Sequence, residues 1–275
     1  MKKLPFVSIL IPTTFYRLLF LKQLLKYIYR QEYTGNKEVI ILNDGNEDIK
    51  DIDIQDNIKC KLVNLKTKNT IGYKRNFLNE LAKGDILIYF DDDDYHLPTR
   101  ISHTVESLIG GNNLIAGSSR SLVFKTSDQK IYEFGPYGRY HSGAGSMGFF
   151  KEYIKNHRFD ESKNNAEESS FTKNFTEPMN QLDAEKTILA VHHKQNTFDK
   201  NFSTKKKLSI FQKEYFLKCG EDLKFYQNLQ WMYFAAPTPY FYITIPVTLV
   251  SHRTCENDQI QLKIISADRN DKQIR

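Results

Sequence analysis

The stretch Ile86-Leu87-Ile88-Tyr89-Phe90-Asp91-Asp92-Asp93-Asp94 joins an apolar run of strand length to four consecutive aspartates. A run that is apolar at every position suits a strand covered on both faces, as in a parallel sheet flanked by helices. Buried strands normally end in turn chemistry. Carboxylates stacked there concentrate negative charge where a low local dielectric makes repulsion expensive, so a cation is expected beside them. Hard divalent ions take carboxylate oxygens, and Mg²⁺ in particular is held by one or two carboxylates plus substrate phosphates. The plain alternative is a solvated acidic turn.

The same pattern recurs upstream. Phe6 to Ile11 is an apolar run of strand length, and Pro12, which lacks an amide proton, is expected to end it. From Leu18 to Gln31 the spacing of Leu18, Leu21, Leu25 and Ile28 predicts a helix. Val39 to Leu42 is the next buried strand, with Asn43-Asp44-Gly45 as its turn, and Lys61 to Leu65 a weaker third. Ile71 to Lys83 reads as a helix with Gly84 as its C-cap. Strands alternating with helices predict an α/β fold. In such sheets ligands bind beyond the carboxyl ends of the strands, so Pro12-Thr13, Asn43-Asp44 and Asp91 to Asp94 should converge on one crevice.

Downstream the pattern loosens. A helix is expected from Arg100 to about Leu108, then short strands at Leu114 to Ala116, Leu122 to Phe124 and Ile131 to Phe134. A Gly-rich stretch, Gly135 to Gly148, precedes a helix near Phe149 to Asn156, a polar acidic segment from Asp160 to Ser170, and a strand at Lys186 to Val191. The remainder is lysine-rich and then aromatic, with helices expected at Ser209 to Leu217 and Leu223 to Tyr233. Gly143-Ala144-Gly145-Ser146-Met147-Gly148 spells G-x-G-x-x-G, but no strand-like run leads into it and no acidic strand end follows at dinucleotide-fold spacing. It is read as a loop whose backbone approaches the substrates.

The bulk numbers narrow the function classes. With 275 residues, 40% hydrophobic and 26% charged, the chain can bury a substantial core. No apolar run approaches the roughly 18 to 20 residues a membrane span needs. Met1-Lys2-Lys3-Leu4-Pro5-Phe6 resembles a basic signal-peptide start, but Pro12-Thr13-Thr14 interrupts the apolar stretch and no small-residue cleavage site follows, so it is read as the start of the first strand. Cys60, Cys219 and Cys255 are too far apart for a disulfide framework or a zinc site, which favours a reducing, cytoplasmic location. The net charge of +6 suits a phosphorylated substrate, an acidic membrane surface or nucleic acid, and because it is dispersed apart from Lys205-Lys206-Lys207, nucleic acid is the minority reading. That cluster and the C-terminal aromatics leave room for peripheral membrane contact, although packing against the catalytic domain is the preferred reading.

Set side by side, Val7 to Thr13, Val39 to Gly45, Gly72-Tyr73-Lys74-Arg75-Asn76 and Gly84 to Asp94 resemble the inverting family 2 glycosyltransferases in order and spacing. The resemblance implies a GT-A fold, a Rossmann-like, mostly parallel sheet with helices on both faces, followed by a C-terminal extension. It implies a nucleotide-sugar-binding half at residues 1–100, an acceptor half at 101–200 and an extension at 201–275. It also implies a nucleotide-sugar donor, most simply a UDP-sugar, a glycan, protein or small-molecule acceptor, and Mn²⁺ or Mg²⁺ as cofactor. Carried over residue by residue, Thr13 and Asp44 hold the base and Arg75 contacts the nucleotide or its diphosphate. Asp91 and Asp92 fall on the nucleotide side and Asp93 and Asp94 on the metal side, with the register inside the four open by one residue.

An inverting transfer also needs a carboxylate to take the acceptor's proton. Glu167-Glu168 follows Phe159-Asp160-Glu161 closely, where the family places its acidic pair, so Glu168 is the expected base and Glu167 its neighbour. Glu221-Asp222 is the competing pair, read otherwise as the acidic first turn of a helix. His193-Lys194-Gln195-Asn196-Thr197 is similar to the family's H-x-x-N-S/T segment and makes His193 the metal-binding histidine, with His252 as fallback. The rival classes are a nucleotidyltransferase, which normally opens with a Gly-rich basic loop that is absent here, and a non-catalytic binding module, favoured only by Glu-Glu in place of Glu-Asp.

Overall fold

The structure is a computed structural model that describes residues 3–229 except 51, 53, 56–57, 195, 197–206 and 209–211, with backbone alone at 207–208 and 212–219. The first half runs β1 (Val7–Thr14), α1 (Leu18–Tyr29), β2 (Lys37–Asp44), β3 (Lys59–Leu65), α2 (Ile71–Leu81) and β4 (Ile86–Tyr89). It continues through β5 (Tyr95–His96), α3 (Arg100–Gly110), β6 (Ile115–Gly117), β7 (Ser121–Lys125), β8 (Lys130–Phe134) and β9 (Gly148–Phe150). After these come α4 (Glu168–Phe171), β10 (Asn180–Gln181), β11 (Ile188–His192), β12 (Lys207–Leu208) and α5 (Gln212–Gln227).

Seven strands form the main sheet in the order β10-β6-β9-β4-β1-β2-β3. Strands β4, β1, β2 and β3 are mutually parallel, and β9 is inserted antiparallel between β4 and β6. Successive residues of each central strand face opposite sides, and the packing follows that parity. Val7, Ile9 and Ile11 of β1, Val39 and Ile41 of β2, and Ile86 and Ile88 of β4 pack with α1 and α3 through Leu21, Leu24, Ile28, Ile101 and Val105. Leu10, Ile40, Leu42, Leu87 and Tyr89 face the other way and pack with Leu78 of α2. Both faces are therefore dry, which is why the strands read as continuously apolar. A second sheet, ordered β12-β8-β7-β11-β5, adjoins the first through the aspartate turn, because β4 belongs to one sheet and β5 to the other.

Four expectations change. Pro12 does not end β1, which pairs with β2 as far as Thr14. The carbonyl of Leu10 accepts from Phe90 on the β4 side, so the Pro12 nitrogen, two residues on, faces that side too, where β4 has already stopped. No ladder bond is lost there. Gly84 is not a C-cap: α2 ends at Leu81 with Ala82 extended, and a Cβ at Gly84 would lie 2.6 Å from the Ser8 amide and 2.8 Å from the Phe6 carbonyl. Glycine is needed there for the close approach to β1. The segment expected as a helix near Phe149 is strand β9 followed by a 3-10 turn at Lys151–Lys155. Finally, the two C-terminal helices are one, α5, so Glu221 and Asp222 are interior to it rather than at a first turn.

Asp222 instead takes both guanidinium nitrogens of Arg30, at 2.8 and 2.9 Å. Leu223, Tyr226 and Leu229 join the core on the α1 side. Lys205, Lys206, Phe211, Trp231, the later aromatics and His252 lie outside the described residues. Among the described residues no helix is long and apolar enough to cross a membrane.

Candidate active site

The three polar strand ends meet. Thr13, near the end of β1, donates from Oγ1 to Asp92 Oδ2 at 2.6 Å. Asp44, the last residue of β2, accepts from the Asn69 amide at 2.7 Å and from Lys74 Nζ at 3.0 Å, and the same ammonium reaches the Thr13 carbonyl at 3.3 Å. Lys74 and Arg75 come from the first turns of α2, whose N-terminus is capped by Thr70 Oγ1 accepting from the Tyr73 amide. The helix thus aims two cations at the ends of β1, β2 and β4.

The four aspartates divide their partners. Asp91, the most accessible at 26% side-chain exposure, receives Arg75 Nη2 at 3.1 Å. Asp92 is buried and takes Arg17 Nη1 at 2.8 Å as well as Thr13. Its burial, opposed by Arg17 and reinforced by Asp93, holds its carboxyl above the usual carboxylate range. Asp93 Oδ2 lies 3.1 Å from His193 Nε2, 3.1 Å from Asn196 Nδ2 and 3.1 Å from Arg17 Nη1. Asp94 Oδ1 accepts from the Val191 amide at 2.9 Å, tying the turn to β11. Because β11 runs beside β5, residues 100 apart in sequence, Asp93 and His193, come into contact. His193 is buried and stacked on Phe20 with ring centroids 4.7 Å apart. Among the described residues no group of three or more His, Cys, Asp and Glu is arranged to hold a metal ion unaided.

Glu167 and Glu168 have different environments. Glu167 is buried and accepts from Arg75 Nε at 2.8 Å, so one guanidinium bridges Asp91 and Glu167. Burial would lower the Arg75 pKa, but Asp91 and Glu167 outweigh it and raise it, keeping the cation in place. Its Nη1 is buried without a hydrogen-bond partner among the described residues, while its guanidinium lies 4.6 Å from the Tyr89 ring centroid. Glu168 forms no ion pair among the described residues. Burial first and the Glu167 charge second push its carboxyl above the ordinary range. Ala166, just before the pair, has φ 50°, and Lys173, Asn174 and Phe175, just after it, have φ 48°, 57° and 60°. Left-handed backbone at four non-glycine residues is costly, and it brackets the acidic pair.

The Gly-rich loop closes on the aspartates from the other side. A Cβ on Gly145 would lie 2.6 Å from Asp91 Oδ2, so only glycine allows this approach without displacing the carboxylate. Fully buried Arg100 holds the loop, donating from Nη2 to the carbonyls of Gly145 at 3.3 Å and Met147 at 3.2 Å. Burial, only partly countered by Asp91, lowers Arg100 to about 9, which leaves it charged at neutral pH. His96 stacks on Phe90, bonds the Asp91 carbonyl at 3.0 Å, and is driven down to about 3 by burial, so it stays neutral. Arg17, Lys74, Asn196, His96 and Arg100 were not singled out in the sequence. Only Lys74, inside Gly72 to Asn76, and Asn196, inside the histidine segment, lay in motifs that could have flagged them.

The family model described as glycosyl transferase family 2 matches residues 8–164, more than half of the chain. A search of curated protein sequences found no match. The S. aureus TarS fragment 1–349 in complex with UDP-GlcNAc aligns with a TM-score of 0.52 at 14% identity, covering 69% of this chain and 59% of that one. The mannosyltransferase PcManGT from Pyrobaculum calidifontis, in complex with GDP-Man and Mn²⁺, aligns with a TM-score of 0.51 at 13% identity, covering 70% and 57%. At such identities the likeness is one of fold, and the chain spans less than two thirds of the length of either structure. The α/β sheet of GT-A type, the order of its strand-end motifs and the family match all agree, and the chain belongs to glycosyl transferase family 2.

Proposed function

We propose that the protein is a divalent-metal-dependent, inverting glycosyltransferase that moves a sugar from a UDP-sugar to an acceptor hydroxyl. The observation that carries the reading is the contrast between the two adjacent glutamates. Glu167 is consumed by Arg75, whereas Glu168 has no ion pair among the described residues and a carboxyl that burial and the Glu167 charge push above its ordinary range, which makes it the better proton acceptor. In this role Glu168 accepts the acceptor's hydroxyl proton as the oxygen attacks the anomeric carbon from the face opposite the leaving diphosphate.

The donor side follows from the strand ends. Asp44 retains lone pairs for a base N–H beyond those used by Asn69 and Lys74. Arg75 fixes the orientation of Asp91, and Asp91, the most exposed of the four aspartates in its contacts, faces the ribose. Asp93 and His193 are the residues that would hold Mn²⁺ or Mg²⁺. Their contact atoms are 3.1 Å apart, close enough that both could serve one small divalent ion. Asp94 is left to clamp β11 through the Val191 amide. When bound, the ion supplies Lewis-acid stabilisation of the charge growing on the diphosphate.

The test is a panel of UDP- and GDP-sugars with Mn²⁺, following nucleoside diphosphate release and the anomeric configuration of the product by NMR. The panel spans both nucleotides because TarS carries UDP-GlcNAc and the mannosyltransferase GDP-Man. Release that is abolished by EDTA and gives an inverted product is expected. Release unaffected by EDTA sinks the metal dependence, and retained configuration sinks the role given to Glu168.

A further inference from the structure

Arg17 closes the 3-10 turn Phe15–Arg17 between β1 and α1, and its side chain is 19% exposed. Its Nη1 touches two carboxylates at once, Asp92 Oδ1 at 2.8 Å and Asp93 Oδ2 at 3.1 Å. The second of these oxygens is the one on which His193 Nε2 and Asn196 Nδ2 also converge, each at 3.1 Å. Three nitrogens crowd one oxygen with two lone pairs, and all three contacts are longer than the roughly 2.7 to 2.9 Å of a good charge-assisted bond. The Arg17 bond to Asp92, at 2.8 Å, is of that quality. Burial by itself disfavours the Arg17 charge, but the adjacent carboxylates of Asp93 and Asp92 outweigh it and keep the guanidinium charged.

We propose that Arg17 is a built-in competitor for the divalent cation. This rests on the metal-dependent reading above. Guanidinium and metal ion call on the same Asp93 oxygen, and two cations cannot share it at contact distance without strong mutual repulsion. The metal therefore enters when Arg17 swings out, and its long, partly exposed side chain has solvent to swing into. The diphosphate of the donor is an anion that arrives at the same place, and a planar guanidinium is suited to phosphate oxygens. Arg17 then exchanges a carboxylate pair for the diphosphate as the metal takes Asp93. The consequence is thermodynamic coupling: metal binds weakly alone, and metal and nucleoside diphosphate each strengthen the other.

The experiment is a Mn²⁺ titration of the full chain at pH 8, reading free Mn²⁺ by electron paramagnetic resonance, with and without UDP. The wild type, Arg17→Gln and the control Arg158→Gln are compared, since Arg158 makes only exposed ion pairs and its loss changes the net charge equally. UDP is expected to tighten Mn²⁺ binding to the wild type about ten-fold or more, and R17Q to bind Mn²⁺ alone about ten-fold more tightly than the wild type, with a smaller gain from UDP. R158Q should match the wild type. Unchanged or weaker binding by R17Q overturns the proposal, as does an equal gain in R158Q, which would make the effect one of bulk charge. No Mn²⁺ binding by the wild type even with UDP removes the metal-dependent reading itself. Should circular dichroism show R17Q unfolded, Arg17→Lys replaces the two-carboxylate contact with a point charge, and tightening of about three-fold is expected. No tightening in R17K likewise overturns the proposal.

Discussion

Arg75→Met removes a cation that the structure places between two acids. The Arg75 side chain is 4% exposed, Glu167 beside it 7% and Asp91 26%. Breaking a buried pair from one side leaves a charge without a partner, at a cost of about 3–5 kcal/mol. The Glu167 contact at 2.8 Å dominates, because Asp91 is partly wet and exposed pairs contribute only about 0–1 kcal/mol. Loss of the contact with the Tyr89 ring adds about 0.5–2 kcal/mol, and methionine fills much of the vacated volume. An overall loss of roughly 4–6 kcal/mol is expected. At about 2–4 °C per kcal/mol the melting temperature should fall by roughly 8–24 °C. Urea unfolding followed by circular dichroism measures this. The decisive arm is the cycle with Glu167→Gln: if the buried charge is the cause, R75M/E167Q recovers part of the loss, with a coupling energy of at least about 2 kcal/mol. A loss below about 1 kcal/mol in R75M, or coupling within about 0.5 kcal/mol of zero, would refute the reasoning.

Glu168→Gln should lower kcat by about 10²- to 10⁴-fold with donor affinity little changed. Because its pKa is raised and the base must be ionised, the acid limb of the wild-type rate profile should lie above the ordinary glutamate range of about 4.3; a limb at or below that value counts against Glu168. Asp93→Ala should abolish Mn²⁺-dependent binding of UDP in calorimetry, and unchanged affinity would remove Asp93 from the metal site. Gly72→Ala should cost about 1–3 kcal/mol by overpacking, because its Cβ would run into the Asp160 carbonyl. A melt identical to the wild type would show that the 160–163 turn yields freely.

Much of the first half was legible from residue order. The apolar strands carried their own signal because both sheet faces are covered, and the rule that ligands sit beyond strand ends brought Thr13, Asp44 and the aspartates together from residue order alone. Pro12 misled because its effect depends on which neighbour its nitrogen faces, a property of pairing and not of composition. Gly84 misled likewise: a glycine after a helix suggests a cap, but here it answers to the backbone of β1. Arg75 reads by default as a solvated helix charge, yet it is buried between acids from β4 and from the segment before α4. The C-terminal helices merged because α5 packs on α1 through Leu223 and Tyr226, contacts that no local period reveals.

The sequence alone determined that carboxylates would accumulate at the end of a buried strand, and that a cation would have to answer them. It could name the residue types and their order, because strand-end position is a local property. The tertiary structure alone decided which cations they are: Arg17 from the opening of α1 on Asp92 and Asp93, and Arg75 from α2 on Asp91. It also decided that Glu167 is paired and that Glu168 has no ion pair among the described residues. Neighbouring glutamates are chemically alike on paper. Burial and the reach of one guanidinium, set by how α2 lies against β4, separate them.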